Sequence, residues 1–473
     1  MAVVADLRAE LLRLVPDERR VSTSPSVLEQ HGQDLTYHAV HEPEAVVFPA
    51  STDEVAAVLR YASARGIAVT PFGAGTSLEG QVIPLRGGIS LDLTRMDRIL
   101  ELRPDDLLAV VQCGVPRSKL NEAAGAHGLF FPVDPGADAT LGGMAATNAS
   151  GTTTVRYGGM RAQVLALEVA LADGTVVRTG TRAVKSSAGY NLTSLFVGSE
   201  GTLGVITELT LRLYGIPDYV VAARAAFPDE EAACRAAATM IGSGVLVTRC
   251  ELLDGPSIRT MNEYKGTQYR EEPHLFVEFG GSEAGVAGDL EATREIAEAE
   301  GCTTFDAETD PTARARLWEA RHHHLLALAH SAPGKKAYAT DVCVPVSELP
   351  DAIRLGRRLV DETGLVGGIV GHVGDGNYHV GFMLDPDDPD EVARAKRLNE
   401  RIVEDALARG GTCTGEHGIG IGKMAFLERE HGDLLPLMRG LKQLLDPTGI
   451  LNPGKVVELR RKSCGLSPGP AAP

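Results

Sequence analysis

The sequence predicts an α+β protein of more than one structural unit, and three observations carry that prediction. Its 473 residues exceed the usual size of a single domain, so two or three units and a large core are expected. Before Pro217, three glycine-rich loops are separated by short strands and helices. After it, strands and helices alternate without such loops, which suggests an antiparallel sheet with helices on one face. The boundary falls near Ile216-Pro217-Asp218, and no internal repeat interrupts the globular part.

Composition narrows the partners. A formal charge of −17 argues against nucleic acid or an anionic membrane as the main partner, and an anionic substrate would need a local cationic site. The seven cysteines, at 113, 234, 250, 302, 343, 413 and 464, form no Cys-x-x-Cys and are odd in number. A disulfide framework, an iron–sulfur set and a zinc ribbon are therefore not expected; reduced, mostly buried thiols in a cytosolic protein are. Residues Met1 to Arg20 mix acidic and basic side chains without the apolar stretch of a signal peptide. No run approaches the ~18 apolar residues of a membrane span. The tail Arg460 to Pro473 is expected to be disordered.

In chain order, Ser51-Thr52-Asp53-Glu54 is a capping-box pattern. Val55, Val58, Leu59 and Ala62 then form one apolar helical face, and Gly66 stops the helix. A strand from Ile67 to Thr70 delivers the chain into the first loop, Pro71 to Gly80. A glycine loop after a strand suggests phosphate binding. The Walker pattern fails because Gly80 is followed by Gln81 and Val82; the Rossmann pattern fails because Pro84 interrupts any helix. The second loop, Asp134 to Gly143, runs into Ala145 to Gly151, small residues that would leave a packing hole unless something flat lay on their backbone. The third, Gly198 to Thr207, enters an apolar strand. Together they suggest a large, planar, phosphate-bearing cofactor.

In the second half, strands are predicted at Val220–Phe227, Leu246–Leu253 and Leu275–Phe279, and helices at Pro228–Ile241 and Gly288–Glu300. Two further strands, Val366 to Gly371 and Tyr378 to Leu384, are joined by Gly374-Asp375-Gly376-Asn377. If those four residues form the loop, Val373 pairs with Tyr378 and His372 lies directly opposite His379, close enough to chelate one ion. Two unrelated histidines are the plain alternative. Gly415-Glu416-His417-Gly418-Ile419-Gly420 adds a carboxylate and an imidazole on backbone that glycine frees from strand geometry. His372, His379 and Glu416 make a His₂-carboxylate set suited to Zn²⁺ or Mn²⁺ with open positions. His417 is left to take a proton from an ion-bound hydroxyl, with a supporting or core histidine as the plain alternative. On a helix beginning at Leu317, the residues Leu317, Arg321, His324, Leu325 and Leu328 share a face. A guanidinium there suggests an anionic partner, bound bidentately. The run His322-His323-His324 is expected to be mostly surface or supporting residues.

These motifs carry a resemblance. The Pro71–Gly80, Pro135–Gly143, Arg156-Tyr157-Gly158 and Gly198–Thr207 stretches resemble the FAD-binding unit of the vanillyl-alcohol-oxidase-type (PCMH-type) flavoproteins. Gly371–Asn377 and Gly415–Gly420 resemble the signature of its FAD-dependent D-2-hydroxy-acid dehydrogenase branch. Tyr338–Pro345 and Val133–Asp138 look most like the D-lactate (cytochrome) members, and the match runs from about Gln30 to Val457.

The resemblance implies a two-lobed FAD-binding domain at 42–217 after an N-terminal helical segment at 1–41. An α+β cap carrying the metal site would follow at 218–430, then a segment at 431–459 returning to the FAD domain and the tail at 460–473. It implies noncovalent FAD, since the first loop has no histidine. Contacts would come from Pro71, Phe72, Gly73, Ala74, Gly75, Thr76 and Ser77, and from Pro135, Gly136, Ala137, Asp138, Thr140, Gly142, Gly143, Asn148, Ser150 and Gly151. Glu200, Gly201, Gly204, Val205, Ile206 and Asn452 complete the set. Family roles carry over to His372, His379 and Glu416 as metal ligands, His417 as base, and Arg321 and Lys336 as substrate contacts. For Lys336 a solvated surface lysine is the even alternative; for Asn452 it is a simple turn.

The expected activity is oxidation of a D-2-hydroxy acid, foremost D-lactate, with electrons passed to a cytochrome, a quinone or an electron-transfer flavoprotein. The expected location is the cytoplasm or the inner face of a membrane, and a homodimer is compatible with it. Rival readings are the flavin subunit of a glycolate oxidase, a D-2-hydroxyglutarate dehydrogenase, a plain alcohol oxidase, and a noncatalytic FAD- and metal-binding subunit.

Overall fold

The computed structural model describes residues 2–34, 36 and 38–459; the expectation for the tail at 460–473 lies outside the described residues. Two sheets share the N-terminal core. The first orders Val21–Ser22, Ala45–Val47, Ile89–Asp92 and Val69–Phe72, the last three parallel. Between two of its strands runs the helix Thr52–Arg65. Ser51 caps it by accepting from the Glu54 N–H at 3.3 Å, and Gly66 ends it in the left-handed region at φ +65°. Its buried face is Val55, Ala56, Val58, Leu59 and Ala62.

The second sheet is antiparallel, in the order Ile99–Arg103, Leu108–Gln112, Val205–Arg212, Val164–Ala170 and Val176–Gly180. Leu59, Val69, Val111, Leu141 and Leu209 belong to one continuous core, joined by Leu7 and Leu11 of the first helix and by Ile450 and Leu451. The last two residues show that the chain returns to this half, where Leu451 bridges Val69.

The second half holds an eight-stranded sheet. Its main path is Thr304–Glu308, Tyr219–Ala226, His274–Gly281, Val247–Leu253, Val366–His372, Asn377–Leu384 and Lys336–Ala339, with Val342–Cys343 also on Asn377–Leu384. Every pairing in it is antiparallel. Alternation divides its residues between two faces. Cys250, Leu252, Ile369, Tyr378, Val380 and Phe382 pack on the helices Glu230–Gly242, Leu349–Thr363 and Pro389–Ala408 through Ala233, Ile353, Val360 and Ile402. The opposite face carries Arg249, Glu251, Val370, His372 and His379. Helices cover that face too, in part: Leu317 and Trp318 of Pro311–His322 and Ile258 of Gly255–Lys265 pack on Leu253, Phe276 and Val370. Helices on one face only was too simple, because an anion-facing helix has to reach the polar side as well.

The hairpin register also corrects the sequence. His372 pairs with Asn377, and His379 with Val370, so the loop is Val373 to Gly376 rather than Gly374 to Asn377. Val373 is fully buried, and the Asn377 side-chain amide donates to Asp341 Oδ1 and the Val342 carbonyl at 2.9 and 2.8 Å, which holds Asn377 in the strand. Because the slip moves His379 from opposite His372 to opposite Val370, two residues along the same strand, both histidines stay on one face as diagonal neighbours.

Candidate active site

A cleft of ≈ 900 Å³ separates the two halves. Pro71 to Ser77, Pro135 to Ala137, Thr140, Gly142, Gly143, Ser150, Gly151, Glu200, Gly201, Gly204, Val205, Ile206 and Asn452 line one side of it. Asp138 and Asn148 do not. Asp138 accepts from the Ser118 N–H at 3.0 Å and from its hydroxyl, and Asn148 closes the helix Leu141–Thr147 at φ +54° while accepting from the Arg161 N–H at 3.0 Å. These are turn and cap duties.

The loops are packed on one another as well as on the cleft. A Cβ on Gly73 would lie 2.6 Å from Thr140 Oγ1, and one on Gly201 2.9 Å from Pro71. The Ser77 hydroxyl, within the first loop, is buried without a partner among the described residues, as suits a group that meets a phosphate-bearing cofactor. Asn452 binds loops together: its amide donates to the Gln81 and Glu200 carbonyls at 3.0 and 2.7 Å.

The other wall comes from the polar face of the large sheet and from Gly415 to Gly420. One donor atom each of His372, His379 and Glu416 lies within 4.8 Å of the others. His379 Nδ1 donates to the Thr340 carbonyl at 3.0 Å, which turns Nε2 toward Glu416 Oε1 at 3.1 Å. A shared proton or a metal ion between nitrogen and carboxylate would satisfy that spacing. His372 Nδ1 meets Glu251 Oε1 at 2.7 Å, and its Nε2 lies 3.5 Å from Glu416 Oε1. The Ser150 hydroxyl donates to Glu416 Oε2 at 3.1 Å, linking the second glycine segment to this centre.

Asp341, His379 and His417 satisfy the same distance condition. Asp341, however, is saturated. It accepts from the Glu416 and His417 N–H groups at 3.1 and 2.9 Å, from the Thr414 hydroxyl at 2.7 Å and from Lys423 Nζ at 3.1 Å. Burial would raise its pKa, but Lys423 and the neighbouring histidines outweigh burial and hold it well below the ordinary carboxylate value. Asp341 is thus the post on which the Glu416–His417 turn is hung. Replacing it by alanine leaves the buried Lys423 ammonium only Glu79 Oε1 at 3.4 Å and a backbone carbonyl at 3.0 Å, unties the Glu416 and His417 N–H groups, and is expected to cost about 3–5 kcal/mol of stability. Thermal unfolding of the variant checks this; an unchanged midpoint would remove the structural role.

His417 lies in the cleft with its ring stacked on His379, centroids 5.0 Å apart. Its carbonyl accepts from Gln81 Nε2 at 2.7 Å, and Nδ1 stands 4.0 Å from Glu79 Oε1. Burial pushes this imidazole down to about 4, against the pull of Asp341. Glu200 ties the halves together by accepting from the Ile419 and Gly420 N–H groups at 2.6 and 2.8 Å, and burial raises it to about 7.

Arg321 reaches the cleft, but it is not free. Its Nε and Nη2 approach Glu251 Oε2 at 2.8 and 2.6 Å, leaving Nη1 for another partner, so the expected bidentate fork is half taken. The helix predicted from Leu317 breaks at His323, giving Pro311–His322 and His324–Ser331. On the shared face Leu317, Arg321 and Leu328 are buried, whereas Leu325 is 49% exposed. His324 departs from the expected surface role: it is buried and lines the cleft. Lys336 does not reach the cleft; it is exposed at the start of its strand, opposite Leu384.

Glu251, Asp341 and His324 were missed as site residues. Glu251 had a signal, since Arg249 and Glu251 place two charges on one face of an otherwise apolar strand. Asp341 had none beyond its motif.

The fold and this cleft together define an FAD-linked oxidoreductase. Residues 43–180 match the family model described as an FAD binding domain, and 216–456 match the C-terminal domain of FAD linked oxidases. The chain is 47% identical over 451 residues to a probable mitochondrial D-lactate dehydrogenase of Danio rerio, covering 94% of this chain and 91% of that one. It is 41% identical to a mitochondrial D-lactate dehydrogenase [cytochrome] of Arabidopsis thaliana, covering 96% and 80%. A 4-ethylphenol oxidase from Gulosibacter chungangensis shares the fold at TM-score 0.75 and 18% identity, with 96% and 97% covered. The chain belongs to the FAD-linked oxidase family, in the group that includes these D-lactate dehydrogenases. Among the described residues no helix is long and apolar enough to cross a membrane, and the six described cysteines are free.

Proposed function

We propose that this protein oxidises D-lactate, or a close D-2-hydroxy acid, to the 2-oxo acid with the help of a divalent ion, Zn²⁺ or Mn²⁺. The observation that carries it is the cluster of His372, His379 and Glu416, one ligand atom of each within 4.8 Å of the others, opening into the cleft that the flavin loops line. His372, His379 and Glu416 would hold the ion, and Pro71 to Ser77, Pro135 to Gly143 and Glu200 to Ile206 would hold noncovalent FAD. When bound, the ion would polarise the substrate hydroxyl and FAD would accept the two electrons, taken as the C2 hydride at N5.

The chain's own residues do the rest. Arg321 Nη1 pairs with the substrate carboxylate, with Glu251 holding the guanidinium still. His417, kept neutral by burial, takes the hydroxyl proton. Lys336 stays outside this reading. Electrons leave to a separate acceptor, for which a cytochrome is favoured because the Arabidopsis relative's name carries one. Unpaired thiols in the described chain support a reducing compartment such as the cytosol, although the names of the relatives cited above carry "mitochondrial".

Anaerobic mixing with D-lactate is expected to bleach the flavin absorbance, and L-lactate to leave it unchanged, with metal measured on the same sample. Bleaching by neither would favour a noncatalytic subunit. Equal bleaching after complete removal of metal would favour a plain alcohol oxidase. Dependence on copurifying chains would favour a glycolate oxidase subunit.

A further inference from the structure

We infer that His324 sets the length of substrate this enzyme accepts, by closing the far end of the substrate pocket with its imidazole. The inference rests on the 2-hydroxy-acid reading and deepens it. Along the polar face of the sheet the opposed pairs run His372 with Asn377, then Val370 with His379, then Gly368 with Gly381. Successive pairs on one face are about 6.8 Å apart. Two facing glycines would leave a groove running on from the His379 pair, and the His324 ring fills it together with Ser257, Asp254 and Leu328. A Cβ on Gly368 would meet Ser257 Oγ first, then Asp254 Oδ1 at 3.2 Å and His324 Cε1 at 3.4 Å, and one on Gly381 would lie 3.4 Å from Leu328 Cδ2 and 3.6 Å from His324 Nε2.

The ring is present at a cost. His324 is 4% exposed, and neither ring nitrogen has a hydrogen-bond partner among the described residues. Burying a polar ring unpaired is unfavourable, so an apolar side chain would serve the fold better. The ring also borders the cleft, beside Gly381, Val370 and Ala339. With carboxylate and hydroxyl turned to Arg321 and the His372–His379–Glu416 centre, and C2–H turned to the flavin loops, the remaining substituent at C2 points along this row. A methyl ends short of the imidazole; a longer alkyl chain meets it.

Because no partner is hydrogen-bonded to the ring, removing it orphans no other polar group. His324→Ala should open the groove. The experiment measures kcat/KM for D-lactate, D-2-hydroxybutyrate and D-2-hydroxyvalerate with the FAD-loaded wild type, His324→Ala and His324→Leu, flavin content serving as the folding check. The wild type is expected to fall steeply with chain length. His324→Ala should raise the hydroxyvalerate-to-lactate ratio by about 10-fold or more. His324→Leu, which refills the space without nitrogen, should keep the wild-type order. A flat wild-type profile, or an unchanged ratio in His324→Ala, overturns the inference while leaving the function intact. Loss of lactate turnover in both variants with unchanged ratios would make the imidazole a polar contact and overturn it too. If no D-2-hydroxy acid reduces the wild-type flavin, it is the functional reading that has failed.

Discussion

Replacing His417 by glutamine is expected to lower kcat for D-lactate by about 10²–10⁴-fold while FAD content stays at the wild-type level. The side chain is the only part removed. The backbone at this position remains held by Asp341 through its N–H and by Gln81 through its carbonyl, so the turn survives. Single-turnover flavin reduction is the measurement, and near-normal reduction by the variant would sink the assignment of the base. The pH dependence has a definite sign. A base works when deprotonated, and burial pushes this imidazole down to about 4, so activity should be full well above that value and fall as pH drops through it. A divalent ion nearby would move the limb lower still. An acid limb centred at 6.5 would mean an imidazole that burial does not perturb.

The second large effect concerns the proposed divalent ion. Stripping it, or replacing His379 by alanine, should remove several kcal/mol of hydroxyl polarisation, roughly a thousand-fold in kcat. Zn²⁺ and Mn²⁺ are then returned separately to the stripped protein, and the one that restores turnover identifies the ion. Glu251→Gln tests the support behind the site. It weakens the bond to His372 Nδ1 at 2.7 Å, and metal affinity should fall by about 10–100-fold. It also loosens Arg321, so KM for D-lactate should rise in the same variant. Metal affinity equal to wild type would show that His372 does not need this carboxylate.

Much of the site could be read from local pattern because the relevant rules are short-range. The Ser51 cap and the Gly66 stop depend on four residues and one backbone angle. The three glycine loops announce themselves because small residues at a cofactor's backbone cradle are a local requirement. His372 and His379 share a face whichever even-numbered slip the hairpin takes, so the pair survived a wrong loop assignment. The slip itself was decided elsewhere, by Val373 entering the core and by Asp341 claiming the Asn377 amide.

What remained hidden depends on partners far away in the chain. Glu251 is a buried glutamate in a strand until Arg321 and His372 arrive on it from positions 70 and 121 residues further on. Lys336 matches a family position, yet its strand leaves it in solvent. His324 stands in a run of three histidines expected to be mostly surface or supporting residues, and it is the break at His323 and two glycines on the facing strands that leave it in the cleft. Sequence by itself determined the residue types, the two-part fold and the chemistry they can support, since glycine loops, caps and a His–Glu set are specified within a few positions. Tertiary structure alone decided which charges neutralise one another and which imidazole closes the pocket, because desolvation and pairing are set by neighbours that only folding brings within 3 Å or so.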